Sequence, residues 1–257
     1  MSLIASDIRV SLGRKPILHG IGFRAQPGQF TAIVGPNGSG KTTLMRALTG
    51  ELAAEGRISL NGHDLRNMTP EALARIRGVL PQSTPLSFPF TVAEVVRIGL
   101  DARGERADPL ILSALAAVGL PDFAGRLYQQ LSGGEQQRVQ LARVLAQVWQ
   151  PTSPEGPRWL FLDEPVSSLD IAHQLTVMRL AADYARRGGG VVAVMHDLNL
   201  TAMFADRITL MMAGEVLADG TPCEVLTDRI LGRAYGCTLH VNRVPESGIW
   251  VLPHAAA

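Results

Sequence analysis

FTAIVGPNGSGKTTLMRALTG, residues 30–50, decides the fold. Its first residues are apolar and make a buried strand, a glycine-rich turn follows, and KTTLMRALTG continues as a helix ending near Gly50. The turn, GPNGSGKT (35–42), matches the phosphate-loop pattern G-x-x-x-x-G-K-[ST] in the strand–loop–helix setting that the pattern requires. Gly35, Gly38 and Gly40 let the backbone fold tightly, so that successive N–H groups point inward at phosphate oxygens. The helix starting near Lys41 adds its positive end. Lys41 supplies a point charge to β- and γ-phosphates, and the Thr42 hydroxyl can ligate Mg²⁺. The loop as a whole, Gly35, Pro36, Asn37, Gly38, Ser39, Gly40, Lys41, Thr42 and Thr43, is therefore assigned to nucleotide binding.

WLFLDE (159–164) is the complementary half: a buried strand with two acids where it ends. Asp163 is placed to hold Mg²⁺ through its water shell, and Glu164 to polarise an attacking water. Alone, such a strand end reads as a capping arrangement. With a phosphate loop upstream, it reads as a hydrolytic site.

The rest of the chain alternates in the same way. Residues 1–30 break at Gly and Pro like short strands and turns, and GRISLNGHDL (56–65) reads as a hairpin turning at Asn61-Gly62. VLPQSTPLSFPF (79–90) carries Pro81, Pro85 and Pro89 and is neither a helix nor an inner strand. Thr91 and Glu94 after it form a capping box, with Phe90 and Val95 at staple positions. Residues 91–150 are helical in pattern, and PTSPEGP (151–157) is an exposed loop by composition. Then RWLFLDEP is a strand, IAHQLTVMRLAADYARR a helix and VVAVMHD a strand. The tail has a helix start at Thr221-Pro222, a short helix through Gly232, and strand-like TLHVNRV and GIWVLP. Strands alternating with helices predict a mostly parallel sheet with its sites at the strands' C-terminal ends.

Composition narrows the function classes. Of 257 residues 46% are hydrophobic and 18% charged, with net charge +1, which suggests neither disorder nor a surface for nucleic acid. Apolar runs such as VVAVM (191–195) are strand-length, far below the roughly 20 residues that cross a bilayer. MSLIASDIRV has no basic region followed by an apolar stretch, so no signal peptide is expected. Cys223 and Cys237 read as ordinary, partly buried thiols. His19, His63, His173, His240 and His254 read as surface or packing residues.

LSGGEQQR (131–138) first reads as a capped helix start, Ser132 and Glu135 forming a capping box. Val139, Ala142, Leu145, Ala146 and Trp149 give the helix an apolar face. That leaves two consecutive glycines in the first turn, each costing about 1 kcal/mol of helix stability. They make sense where a phosphate must approach the backbone closely.

With this element the chain resembles the nucleotide-binding subunits of ABC transporters, whose signature is usually LSGGQ, and the likeness extends over nearly the whole length. The resemblance implies an α/β fold: a P-loop NTPase (RecA-like) core with an antiparallel β subdomain and an inserted α-helical subdomain. Residues 1–84 and 158–257 would form the core with its β subdomain, 85–150 the helical signature subdomain, and 151–157 a surface loop without a catalytic part. It implies a head-to-tail homodimer with ATP held between GPNGSGKT of one copy and Ser132, Gly133, Gly134 and Glu135 of the other. SSLD (167–170) resembles the loop whose Asp170 communicates across that dimer. His196 resembles the switch histidine that contacts the γ-phosphate, and Gln82 the glutamine that reaches Mg²⁺ and water and senses the permease. Two departures stand out: Leu12 takes the place of the usual adenine-stacking aromatic, and about 32 residues separate Leu131 from Asp163, more than is usual.

HDLNLTAMFADRITLMMAGEVLADGTPCEVLT resembles the importer branch for iron chelates, haem and cobalamin, and LPQSTPLSFPFTVAEVVRIGL with LAQVWQPTSPEGPRWLFLDEP most resembles the haem importers. This implies ATP and Mg²⁺ as cofactors and two copies of a transmembrane permease as partners. A periplasmic binding protein would act indirectly, no nucleic acid would bind, and the site of action would be the cytoplasmic face of a bacterial inner membrane. The segment around Phe88 is expected to border the groove that receives the permease's cytoplasmic helix. A siderophore or cobalamin importer is the neighbouring alternative, and a soluble non-transport ABC ATPase the different-class one.

Overall fold

Strands β1 (Leu3–Leu12) and β2 (Lys15–Ala25) open the chain as an antiparallel pair. β1 buries Leu3 and Ala5, then Ile8 and Val10, so its alternation skips one residue. Asp7, with φ 53, is the extra residue, and the register shifts there against both neighbouring strands. A bulge at that point returns Ile8 to the core face. The computed structural model describes residues 1–83, 86, 88–101, 108–244, 247–249 and 251. Pro85 in the proline-spaced loop, His254, and Trp250, Leu252 and Pro253 of the tail lie outside these described residues.

β3 (Phe30–Val34) leads through the glycine-rich turn into α1 (Lys41–Leu48). β4 (Glu55–Leu60) and β5 (His63–Asp64) make the expected hairpin, with Asn61 at φ 54 and Gly62 at φ 90, the two left-handed positions of a type I′ turn. Next come α2 (Pro70–Ile76) and β6 (Arg77–Leu80), then the helical insertion of α3 (Val92–Asp101), α4 (Asp108–Ala117) and α5 (Gly133–Gln147). A short antiparallel pair, β7 (Thr152–Ser153) and β8 (Gly156–Pro157), precedes β9 (Trp159–Asp163). The chain continues through α6 (Ile171–Arg186), β10 (Gly190–Val194), α7 (Leu198–Phe204), β11 (Arg207–Met212), β12 (Glu215–Gly220), α8 (Pro222–Val225) and α9 (Asp228–Tyr235).

Two main sheets result. The first is antiparallel, in the order β2-β1-β4-β5. The second runs β12-β11-β3-β10-β9-β6, parallel except for the edge strand β12. β3, β9 and β10 are buried at every residue, as strands covered on both faces must be. Against one face pack α1, through Leu44, Met45 and Leu48, and the apolar face of the first sheet. Against the other lie the helical insertion, α6 and α7.

α5 is buried more widely than one apolar face: Leu141 and Val144 join Val139, Ala142, Leu145 and Ala146, while Trp149 is half-buried beyond its end. Small residues on two neighbours allow this. A side chain at Gly99 of α3 would meet the Arg143 carbonyl at 2.0 Å, and one at Gly78 of β6 would meet Val144 at 2.8 Å.

Three sequence expectations need adjustment. Residues 151–157 form a pinned hairpin, in which Asn61 Nδ2 donates to the Pro157 carbonyl at 2.8 Å and Asn61 Oδ1 accepts from Trp159 Nε1 at 3.0 Å. TLHVNRV is not a strand: Asp228 accepts from Val241 N at 2.8 Å and contacts the His240 ring at 3.1 Å, so a side chain occupies groups that a sheet would have used. Cys223 and Cys237 are both exposed. Among the described residues no helix is long and apolar enough to cross a membrane.

Candidate functional site

Three adjacent parallel strands end at one level. Val194 of β10 stands opposite Ile33 of β3 on one side and Asp163 of β9 on the other. The residues just beyond these ends, the Gly35–Thr42 loop, Glu164 and His196, are thereby brought together from three distant parts of the sequence.

Gly35, Gly38 and Gly40 all have positive φ, and at two of them the surroundings leave no room for a side chain. Gly35 has φ 147, and a Cβ there would lie 2.1 Å from the Met211 carbonyl oxygen. Gly40, at φ 98, is the N-cap of α1, where a Cβ would sit 2.8 Å from Leu18 Cδ2. A glycine cap offers no side chain, and the first turn of α1 holds no acid, so its N–H groups remain open to an anion. The β11–β12 turn fixes the loop from behind and is itself tied to the first sheet: Gly214 N donates to the Ser39 carbonyl at 3.1 Å, and the Gly214 carbonyl accepts from His19 N of β2 at 3.0 Å.

Lys41 folds back over the loop, its Nζ donating to the carbonyls of Gly35 at 2.9 Å and Pro36 at 3.1 Å. Burial lowers its pKa, against the opposing pull of Glu164 and Asp163. Thr42 Oγ1 donates to Asp163 Oδ1 at 3.4 Å. Asp163 is 4% exposed, and burial pushes its carboxyl up to about 6, with the Thr42 hydroxyl acting in the opposite direction. A buried carboxylate beside a hydroxyl at the head of the phosphate loop is a donor set that suits a hard divalent cation.

Glu164 has φ 52, rare for a residue with a side chain. Pro165 follows it and disfavours the right-handed helical region. Its N–H donates to the Val194 carbonyl at 3.2 Å, while its carbonyl accepts from Gln137 Nε2 at 3.0 Å and from Ser167 Oγ at 3.3 Å. Anchored this way, the side chain brings Oε1 to 2.6 Å from His196 Nε2.

An open cleft of about 720 Å³ gathers Asn37, Gly38, Gly40, Lys41, Thr42, Thr43, Gln82, Glu164 and His196. Gly35, Pro36 and Ser39 form the loop's back, and Asp163 lies beneath Thr42. Two lining residues were not foreseen: Lys15 and Ile17 of β2. Leu12, the residue expected at the adenine, is 48% exposed at the end of β1, pairs with Lys15, and does not line the cleft. The signal for Lys15 and Ile17 was present but faint: a cation and a half-buried apolar residue at alternate positions of the strand whose next residue, Leu18, meets Gly40.

Ser132, Gly133, Gly134, Glu135 and Asp170 do not line this cleft. Ser132 is the N-cap of α5, and the expected capping box with Glu135 forms. Gly134 packs against the loop after Glu164, where a Cβ would be 3.1 Å from the Ser168 carbonyl oxygen and 3.3 Å from Leu169 Cδ2. Asp170 caps α6, accepting from His173 N at 2.9 Å, and this bond with the His173 ring holds its carboxyl below the ordinary range. Thr91 and Glu94 also form their capping box, with Thr91 N donating to Glu94 Oε2 at 2.7 Å.

Comparison with known proteins gives a consistent result. The family described as ABC transporter matches residues 18–167. The hemin import ATP-binding protein HmuV of Roseobacter denitrificans is 62% identical over 258 residues, covering 100% of this chain and 99% of its own. The protein of that name from Jannaschia sp. is 60% identical over 256 residues, covering 99% and 95%, and that of Rhizobium meliloti 56% identical, covering 98% of each. Among solved structures, the ATP-binding subunit of an ABC transporter superposes with a TM-score of 0.77 at 23% identity, over 93% of this chain and 95% of that one. A bacterial Atm1-family ABC exporter with ATP bound matches with a TM-score of 0.75 at 26% identity, over 90% of this chain and 40% of that one.

Proposed function

This chain belongs to the ABC transporter family, and on that premise we propose that it is the ATP-binding subunit of a bacterial haem importer, hydrolysing ATP to drive a separate membrane permease. The observation that carries hydrolysis is the Glu164–His196 contact of 2.6 Å at the rim of the phosphate-loop cleft. A chain that only bound nucleotide would have no need of a carboxylate held there by its own backbone. Haem as the cargo is supported by relatives named for hemin import whose identity of 62% and 60% extends over essentially the whole chain.

In this mechanism the loop N–H groups and Lys41 take the phosphates, and Lys41 exchanges its two loop carbonyls for phosphate oxygens. Thr42, Gln82 and Asp163 would hold Mg²⁺, which neutralises charge on the phosphate oxygens when bound. Glu164 orients and accepts a proton from the attacking water, while His196 fixes the carboxylate and faces the γ-phosphate. Lys15 and Ile17 give the base an apolar contact and a cation at the open side of the cleft.

The proposal includes a head-to-tail homodimer, in which Ser132, Gly133, Gly134, Glu135 and Asp170 of one copy complete the other copy's site. It includes two permease copies at the cytoplasmic face of the inner membrane and a periplasmic binding protein beyond them. Phe88, 68% exposed and edge-on to Phe90, supports the proline-spaced loop as the permease-facing element. The subdomain division at residues 84–85 and 157–158 belongs to the same reading.

The test is the subunit reconstituted with its permease. Glu164→Gln should keep ATP binding and lower kcat by roughly 10³-fold, the scale of a general base. Haem-loaded binding protein should stimulate the wild-type ATPase. Stimulation by a siderophore- or cobalamin-loaded protein instead would reassign the cargo, and wild-type turnover by Glu164→Gln would remove Glu164 from its role.

A further inference from the structure

α5 touches the loop that carries Glu164 at two places. Gly134, in its first turn, lies against Ser168 and Leu169 so closely that a Cβ would be 3.1 Å from one and 3.3 Å from the other. Gln137, one turn on, donates its Nε2 to the Glu164 carbonyl at 3.0 Å. Its Oε1 is buried with no partner, so the amide is held from one side only, by the residue that bears the hydrolytic carboxylate.

We propose that Gln137 is a positioning residue for Glu164, through which the Ser132–Glu135 turn sets the aim of its own chain's carboxylate on the attacking water. The physical reason lies in the Glu164 backbone. At φ 52 the residue sits in a sparsely populated region, and its carbonyl must be satisfied for that conformation to persist. Gln137 offers the shortest of its hydrogen bonds, at 3.0 Å against 3.3 Å from Ser167 Oγ and 3.4 Å from Ser167 N. Rotating this peptide would swing the side chain and lengthen the 2.6 Å contact to His196. The phosphate loop is untouched by such a rotation, since Lys41 and Thr42 take none of these bonds.

The consequence reaches past one site. α5 is one continuous helix from Gly133 to Gln147. In the proposed dimer its first turn meets the nucleotide of the other copy, while its second turn holds Glu164 of its own. A shift of the helix on nucleotide contact at one site is thereby passed to the carboxylate of the other. This inference rests on the ATPase reading above.

The experiment compares Gln137→Met and Gln137→Glu in the full chain, assembled with its permease, measuring kcat, KM for ATP and equilibrium nucleotide affinity from pH 5 to 9. Gln137→Met keeps the length and loses the donor. It should lower kcat about 10-fold, the effect of one hydrogen bond to a site realised in the transition state, with KM and affinity within about two-fold of wild type. In Gln137→Glu the introduced carboxyl donates to the Glu164 carbonyl only while protonated. Its kcat should approach wild type at low pH and fall to the Gln137→Met level as pH rises through that group's pKa. Glu164, His196, Asp163, Lys41, Asp170 and His173 are common to both variants, so the difference between their profiles isolates the new group. A wild-type kcat for Gln137→Met, a loss confined to affinity, or identical pH profiles for the two variants would overturn the proposal. If Gln137→Met does not fold, the pH dependence of Gln137→Glu against wild type decides. A wild type that binds ATP and never turns it over defeats the ATPase reading itself and this inference with it, a result that no Gln137 variant can imitate.

Discussion

α1 and α5 both have glycine where the helix begins, Gly40 as the N-cap of α1 and Gly133 as the first residue of α5, and they finish their N-termini in opposite ways. α1 has Gly40 as its N-cap, with no side-chain cap and no acid in its first turn. α5 is capped by Ser132, whose Oγ accepts from Glu135 N, while Glu135 Oε2 accepts from Ser132 N at 2.8 Å and from Ser132 Oγ at 2.7 Å. The first end is left with unsatisfied donors and a buried lysine that borrows loop carbonyls. The second has closed part of its own hydrogen bonding and carries a negative charge. The same residue type therefore serves two purposes. At α1 it leaves donors open to an anion, and at α5, in the proposed dimer, it would meet an anion held by the other copy.

The largest effect expected from this contrast is at Lys41. Lys41→Ala should weaken ATP binding by the single chain at least about 100-fold, as loss of a charge-assisted contact to phosphate would. Titration with a fluorescent nucleotide checks it. Retained affinity would mean that α1's open turn suffices without the lysine, and the contrast would rest on glycine alone.

The acids of the two regions sharpen the comparison. Asp163 is raised to about 6 by burial, whereas the Ser132 hydroxyl and backbone hold the Glu135 carboxyl below its ordinary value. A raised carboxyl contributes stability below its unfolded pKa of about 4 and loses it as pH climbs through about 6. A lowered one contributes above its unfolded pKa and loses it as pH falls. Without nucleotide or Mg²⁺, Asp163→Asn should then stabilise the protein by about 2–3 kcal/mol at pH 8 and by only about 0.5 kcal/mol at pH 4, read from urea melts. A gain of equal size at both pH values would show that packing, not charge burial, makes Asp163 unfavourable.

Most of this site was legible because its chemistry is local. The loop, its strand and its helix are contiguous, so GPNGSGKT announces its own geometry, while WLFLDE places two candidate residues, Asp163 and Glu164, and VVAVMH one, His196, at strand ends. Sequence could not say that β3, β10 and β9 would lie side by side and end level, since that is a matter of strand order, but a parallel sheet makes it a natural outcome. Lys15 and Ile17 escaped because their role comes from the packing of one sheet over another's loop, through contacts such as Leu18 with Gly40. Gln137 escaped for a similar reason: read along the helix it is one more polar residue, and only the fold brings it to Glu164. TLHVNRV misled in the other direction, because its period-two pattern met an Asp228 side chain rather than a neighbouring strand.

The smallest expected effect tests the α5 side of the comparison. Ser132→Ala removes the cap oxygen and leaves Glu135 N without its side-chain acceptor, which should lower stability by about 1 kcal/mol. Because Ser132 is absent from the cleft that its own chain builds, nucleotide affinity of the single chain should stay near wild type while turnover by the assembled complex falls. Fluorescent-nucleotide titration of the isolated chain and ATPase assays of the complex separate the two quantities. Should Ser132→Ala weaken single-chain binding as much as Lys41→Ala does, the two helix ends would belong to one site within one chain, and the division between a turn that binds and a turn that reads would fall. A cap lost with no change in turnover would break the contrast from the other side, leaving Ser132 a helix start and nothing more.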